Sequence, residues 1–536
     1  MSDDFKTASG IPLKAIYTPE DISGHDYERD LGAPGEPPYT RGSYPLMYRS
    51  QPWRIKQLHG YKSVEEINRR FKLALDRGQN RLSYVMDNPS LYGLDADDEA
   101  VQPADIGFMG IPINSVQDFK NLLSGIPLDD TFVEALQCVQ FQAPYLALFM
   151  TAYEQLGFDK KLARGSCHND LVLPYVASTI FKPLPPHATL RLVGDMVEWC
   201  AENTPRWVVL GTMPGYNARE CGVTAYEELA IGMVNAISQI DEVLRRGKLK
   251  IDDFVHMIGF HLSSDRDFFE EIAKFRAARR MWSKLILERY KAQNPKSAKF
   301  KFHVQTAGSS LTYQQPLNNI PRVTYQILAA ALGGAQSINS ASYLEAMTVP
   351  TEESELVAIR SQQVLQHESN ITSVIDPLGG SYYVEWLTSE LERRAWEYVE
   401  KIESHGGLIK TIETGWIHNE FGNRMRGNEA SMASGDKKVI GVNIFKMDDE
   451  PYFVHPQETD HSTYYVQKDR LAKLRSERDN SKVRQALEKI RNTLQGEENV
   501  MPAFSEAARA DATLGEICGV LRETYGIWRY PLPIYS

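Results

Sequence analysis

FKFHVQTAG (residues 300–308) and, one helix further on, GAQSINSA (334–341) are the segments that decide the fold. Both have strand character, and around them lie stretches whose apolar residues return every three or four positions, as on an amphipathic helix. Towards the N terminus the same alternation brings up FVHMIGFHL (254–262), WVVLGTM (207–213), ARGSCHND (163–170), a weaker segment near 132–139, IGFMGIPIN (106–114) and LSYVMD (82–87). Helix candidates such as SVEEINRRFKLALDRG, CGVTAYEELAIGMVNAISQIDEVLRRG and RDFFEEIAKFRAARRMWSKLILERYK separate them. Eight such units over about 290 residues predict an α/β protein built on a closed (β/α)8 TIM barrel, with a doubly wound open sheet as the rival.

The barrel is expected at 61–350. Residues 1–60, rich in Pro, Gly and Tyr (DLGAPGEPPYTRGSYPLMYRSQPW), carry neither period and predict an N-terminal extended arm lying over another surface. Residues 351–435 read as a helical extension closing the barrel. It is broken at DPLGGSYY, where Asp376, ahead of a proline and two glycines, reads as a turn residue before it reads as a catalytic carboxylate. Residues 436–536 read as an Asp- and Tyr-rich connector followed by the C-terminal helices SKVRQALEKIRNTLQ and FSEAARADATLGEICGVLRETYG.

With 536 residues, 42% hydrophobic and 24% charged, the chain has the composition of a globular protein and not of a disordered or fibrous one. Its 59 Lys and Arg against 70 Asp and Glu leave a net charge of −11, which argues against a nucleic-acid partner. The five cysteines (Cys138, Cys167, Cys200, Cys221 and Cys518) form no C-x-x-C pair, so neither a disulfide framework nor a zinc ribbon is expected, and a reducing cytoplasm is. The opening MSDDFKTASG is acidic and polar, and no run of about 18 apolar residues occurs, so neither a targeting segment nor a membrane span is expected.

Barrel interiors are usually filled by layers of Val, Ile and Leu. Here the strands carry Ser83, Ser166, His168, Thr212, His303, Gln305, Thr306, Gln336, Ser337 and Asn339. Buried without partners, so many polar groups would each cost roughly 1–3 kcal/mol, so something polar is expected along the axis; the alternative is a polar mouth at the strand ends over an apolar middle. No P-loop, dinucleotide G-x-G-x-x-G, H-E-x-x-H or G-x-S-x-G motif occurs, and His256 and His261 are spaced for neither one helix face nor one strand face, so no metal site is expected.

MYRSQPWRIKQLHGY, HNDL, GYNARECG, AKFRAARRMWSKL, HVQTAGSSLT, LGGAQS, EAMTVPT, HESNITSVIDPLGGSYYVE and FSEAARADATLGEICGVLRE resemble, in the same order from about residue 35 to 525, the large subunit of the methylmalonyl-CoA mutase family, the adenosylcobalamin-dependent acyl-CoA mutases. The resemblance implies a (β/α)8 barrel with the pantetheine arm of coenzyme A along its axis. The expected reaction is a radical 1,2-carbon-skeleton rearrangement of a CoA thioester, begun by homolysis of the cobalt–carbon bond. It implies a separate cobalamin-binding domain with a D-x-H-x-x-G motif; that motif is absent here, so a small partner subunit is expected to bring it, with a G-protein chaperone as a further partner. By motif, Gln305, Gln336 and Glu345 match the family's contacts to adenosine and the corrin face. Tyr44, Met47, Lys56 and Ser83 match residues around coenzyme A, with Arg54 a basic group nearby. Ser166 and His168 fall where the family faces the acyl group.

Three departures bear on substrate. Ser178 stands where an arginine clamps the free carboxylate of methylmalonyl-CoA, and Leu58 where a tyrosine shapes the pocket, as an aliphatic residue does in the 2-hydroxyisobutyryl-CoA type. Asn217 replaces a histidine that bonds the thioester carbonyl; its amide still donates but cannot become cationic. Gln51 and Met257 stand where arginines usually hold the phosphates of coenzyme A. Leu58, Ser178 and Asn217 together favour a branched or hydroxylated acyl-CoA without a free carboxylate, with methylmalonyl-CoA mutase proper and a non-catalytic homologue as alternatives.

Overall fold

Eight parallel strands close in chain order: β1 (Arg54–His59), β2 (Arg81–Val85), β3 (Phe132–Leu136), β4 (Gly165–His168), β5 (Val208–Thr212), β6 (Ile258–Ser264), β7 (Phe302–Thr306) and β8 (Ser337–Asn339). One principal helix follows each strand: α1 (Val64–Asp76), α2 (Val116–Leu123), α3 (Gln142–Gln155), α4 (Pro186–Asn203), α5 (Ala225–Arg245), α6 (Phe268–Lys284), α7 (Asn319–Leu332) and α8 (Glu352–His367). This is the (β/α)8 barrel expected from the alternation. The computed structural model describes residues 5–136, 139–212, 214–448 and 461–531; Cys138, Met213 and 449–460 of the connector lie outside the described residues.

Local chemistry sets the helix starts. Ser63, Asp267 and Thr351 each accept a backbone N–H in the first turn of α1, α6 and α8, and Ser115 and Asp118 form a reciprocal cap on α2.

Two parts of the sequence reading need correction. The first barrel strand, β1, lies inside the span assigned to the arm, and IGFMGIPIN forms no strand: its one ladder contact is an isolated bridge between Met86 and Ile111. The count of eight survived because these errors cancel. Asp376 sits in a turn with φ 48°, where its carboxylate takes Arg41 at 3.2 Å and also Arg276, so it serves as a structural anchor.

The chain forms two compact units, one of Met1–Lys56, Thr212–Ile237 and Gly259–Gln457, the other of Gln57–Gly211, Ser238–Ile258 and Glu458–Ser536. In the first unit, Phe260 and Phe302 pack against Trp282 and Phe275 of α6, so the alternating residues His261, His303 and Gln305 face the barrel interior. The N-terminal segment is tied to the same unit: the Ala8 N–H donates to Asp267 at 2.8 Å, the Tyr39 hydroxyl to the Pro295 carbonyl at 2.9 Å and the Ser43 hydroxyl to the Phe300 carbonyl at 2.7 Å. Beneath it, the wholly buried Lys274 donates to Glu228 at 2.6 Å and to the Ser263 carbonyl at 2.7 Å and pairs with Glu271.

In the second unit, Tyr84 turns outward to share a 2.6 Å hydrogen bond with Tyr145 of α3, and His59 meets Phe71 of α1 edge-on. Ser83, Glu134, Ser166 and His168 therefore point inward. Leu94, Ala96, Val101 and Ile106 make a satellite core that Leu471, from the helix Ser462–Glu477, completes.

Candidate active site

The inward face of the first unit is a file of hydrogen-bonding side chains running along the strands. His303 Nδ1 lies 2.8 Å from Ser337 Oγ across the β7–β8 ladder, and the His261 ring meets His303 edge-on at 4.5 Å. Tyr216, on the short helix Pro214–Glu220 after β5, covers His261 at 5.2 Å, and its hydroxyl accepts from Gln305 Nε2 at 2.9 Å. Burial, then the nearby Glu220 and Glu345, raises the Tyr216 phenol well above its ordinary range, so it is neutral and free to donate. The neighbouring Asn217 has its amide nitrogen buried with no acceptor among the described residues.

At the C-terminal strand ends, Glu220 accepts the Ser309 N–H at 2.7 Å on Oε2 while Oε1 is buried with no donor among the described residues. Burial, with Asp265 and Glu345 adding repulsion, pushes the Glu220 carboxyl up to about 7. Glu345 is reached by solvent, yet the crowding atoms around it raise its carboxyl too. The two acids bracket Gly308: a Cβ there would stand 3.5 Å from Glu220 Oε2 and 3.6 Å from Glu345 Oε1. Glu220 was not singled out from the sequence, since nothing in GYNARECG distinguishes it from a solvent-facing helix carboxylate.

Gln336 departs from its expected company. It precedes β8, and its amide is engaged locally, Oε1 accepting the Phe302 N–H at 2.8 Å. That is the N-terminal edge of the strands, away from the ends that carry Gln305 and lead to Glu345. At the same edge, Met47 comes within 3.2 Å of a Cβ built at Gly334, and the Arg54 N–H donates to the Gln336 carbonyl at 2.9 Å. Gln336 therefore lies with Met47 and Arg54 at one edge of the strands, and Gln305 and Glu345 at the other. Tyr44 is partly exposed with Lys299 over its ring at 5.2 Å, and Lys56 is buried on β1. His59 packs on Phe71 of α1, so its alternates Gln57 and Ile55 share that helix-facing side of β1, and Arg54, Lys56 and Leu58 share the other.

The second unit gathers three of the expected residues around one that sequence reasoning missed. Glu134 of β3 is 5% exposed. Its Oε2 accepts from Ser83 Oγ at 3.0 Å, and its Oε1 from Ser166 Oγ at 3.2 Å, with His168 Nε2 also 3.2 Å away. A carboxylate only accepts, so the proton on His168 belongs on Nε2. The available signal was a single charge inside the apolar run FVEAL, at an inward position of a strand. Ser178 ends the turn Leu173–Ala177 after β4 in an extended conformation and is exposed. Among the described residues no group of three or more His, Cys, Asp or Glu is arranged to hold a metal, and no helix is long and apolar enough to cross a membrane.

The family model described as methylmalonyl-CoA mutase matches residues 6–527. The chain is 36% identical over 529 residues to the 2-hydroxyisobutanoyl-CoA mutase large subunit of Aquincola tertiaricarbonis, covering 98% of this chain and 93% of that protein. It is 34% identical to the methylmalonyl-CoA mutase of Rhizobium meliloti (strain 1021), covering 97% of this chain and 72% of that protein. It is likewise 34% identical to the methylmalonyl-CoA mutase large subunit of Propionibacterium freudenreichii subsp. shermanii, covering 97% and 71%. With its strands closed into the barrel and the match running almost from end to end, the chain belongs to the methylmalonyl-CoA mutase family and is by that membership a mutase, an isomerase.

Proposed function

We propose that this chain is the large subunit of an adenosylcobalamin-dependent acyl-CoA mutase whose substrate is a branched or hydroxylated acyl-CoA without a free carboxylate. The observation that carries the reading is the buried Glu134 carboxylate, bonded to Ser83, Ser166 and His168. A substrate carboxylate brought within about 4 Å of it would meet roughly 4 kcal/mol of repulsion at an effective dielectric near 20, close to a thousandfold in affinity. Ser178 offers no compensating cation. A hydroxyl, in contrast, donates to a carboxylate, so a hydroxylated acyl group fits best.

The donor and acceptor set of the first unit fits the adenosyl half of the cofactor. Glu220 Oε1 is a buried acceptor with no donor among the described residues, and with Glu345 and Gln305 it suits ribose hydroxyls and the base. When bound, the cofactor supplies reversible hydrogen-atom abstraction. The chain's residues supply position, neutrality and exclusion of water. Asn217 Nδ2 donates to the thioester carbonyl, Tyr216 stays neutral beside it, and Tyr44, Met47, Arg54, Lys56 and Gln336 hold the coenzyme A arm.

Two of the relatives are named as large subunits, and this chain is read in the same way, working with a small cobalamin-binding partner that carries D-x-H-x-x-G. No disulfide joins the four described cysteines; the setting we read for the chain is the cytoplasm.

The test mixes the chain with its cobalamin-binding subunit and adenosylcobalamin and follows isomer formation from a panel of acyl-CoA esters. Hydroxylated or branched uncharged esters are expected to turn over with the highest kcat/KM. Methylmalonyl-CoA outrunning all of them would refute the substrate reading. Ser178→Arg is expected to move preference at least tenfold towards methylmalonyl-CoA; an unmoved ratio would remove position 178 from the acyl pocket.

A further inference from the structure

The loop between β4 and α4 carries Ser178, and it is held by a distant piece of chain. The Tyr530 hydroxyl donates to the Pro174 carbonyl at 2.7 Å and accepts the Ile180 N–H at 2.8 Å. One oxygen atom thus bridges the two sides of the turn 174–180, and Ser178 lies between the bridged residues. The neighbours of Tyr530 reinforce the hold: the Trp528 N–H donates to the Pro183 carbonyl at 2.8 Å, and Arg522 Nε to the Lys182 carbonyl at 3.2 Å. The Trp528 ring stands edge-on to Tyr175 at 5.2 Å and to Tyr530 at 4.8 Å. Tyr175 is itself fixed from below, its hydroxyl donating to the Leu184 carbonyl at 2.7 Å.

We infer that Tyr530 is a positioning residue for acyl-group selection, acting through Ser178 by pinning the turn that presents it. The inference rests on the proposed reading that position 178 meets the acyl tail. Its physical basis is that Ser178 ends a short turn of the irregular type, closed by Val172 accepting from both Val176 at 2.8 Å and Ala177 at 2.9 Å. Such a turn has little helical ladder of its own to fix the residues just beyond it. Without the hydroxyl, a buried N–H and a carbonyl lose their partner together, and the segment is free to relax. A pocket wall displaced by even a methyl's width changes discrimination between acyl groups tenfold or more.

The test is a double-mutant cycle of Tyr530→Phe and Ser178→Val, with the chain assayed beside its cobalamin-binding subunit and adenosylcobalamin on a small and a large uncharged acyl-CoA. Tyr530→Phe keeps the ring for Trp528 and removes both hydrogen bonds. It is expected to shift the ratio of kcat/KM between the two esters three- to tenfold, mainly through KM, and to speed amide exchange at Ile180 at least tenfold in the chain alone. In the Ser178→Val background the shift in ratio is expected to shrink, because the two act through one contact. Full additivity, or an unmoved ratio with Tyr530→Phe while Ser178→Val moves it, would overturn this inference and leave the substrate reading standing. If Ser178→Val moves nothing, position 178 does not read the acyl group and this inference falls with that assignment, while the substrate reading, which Glu134 carries, is untouched. Should Tyr530→Phe lower the yield of folded protein, Trp528→Leu, which loosens the same hold through the ring alone, is expected to shift the ratio in the same direction; no shift counts against the inference.

Discussion

A carboxylate carried out of water survives only where donors replace its hydration, and Glu134 has three of them. Glu134→Gln keeps the volume and removes the charge. It is expected to raise the ratio of kcat/KM for methylmalonyl-CoA over a hydroxylated ester by up to about a thousandfold, the equivalent of the ~4 kcal/mol of repulsion that the charge imposes at an effective dielectric near 20. Equal losses on both esters would show the side chain to be scaffolding. Ser83, Ser166 and His168 were legible because polar residues on barrel strands are out of place among Val and Leu; Glu134 was hidden because its strand was the weakest of the series. Glu220 carries a second, pH-dependent expectation. Its carboxyl titrates near 4.5 when unfolded and, raised by burial, near 7 when folded. The folded state therefore holds the proton more tightly, and this contribution is full below about 4.5 and lost as pH rises through 7, up to roughly 3 kcal/mol. Glu220→Gln removes that slope, so its thermal midpoint is expected to gain on the parent between pH 5 and pH 8; parallel curves would contradict it.

At the scale of elements, β1 was missed for the reason that makes it useful. RIKQLH carries a cation at each of two inward positions, so the apolar alternation that marks a half-buried strand is absent. IGFMGIPIN errs in the opposite direction. Ile106, Ile111 and Ile113 are buried as in a strand, but Gly110, at φ 159°, lies against the Met86 backbone, where a Cβ would come within 2.2 Å of the carbonyl. This is an apolar plug shaped by close backbone approach, not a ladder. Gly110→Ala is expected to cost roughly 2–4 kcal/mol, since the contact is with backbone that cannot turn aside. The apparent Tm should fall by several degrees in a thermal melt; an unchanged Tm would mean the segment relaxes freely. Helix positions were more accurately legible, because their period extends over many residues and their caps are local.

Over the whole molecule, strand order, closure and the polar inward faces could be read in advance, since each depends on which residues recur and in what sequence. The division into two units could not. Each unit is assembled from three separated spans, and contiguous domains are all that composition and linkers can suggest. The basic and acidic groups that stabilise the first unit, such as Lys274 with Glu228 and Arg276 with Asp376, lie 46 and 100 residues apart. Nothing in a local window pairs them.

The interleaving affects how the chain is made. β2 to β5 leave the ribosome early, but Leu471, which closes their satellite core, and Tyr530 arrive only after some 250 to 320 further residues. At ~5–20 residues per second, those strands wait on the order of 15–60 s with apolar surface uncovered. That interval is long enough for holdase chaperones to bind nascent chains.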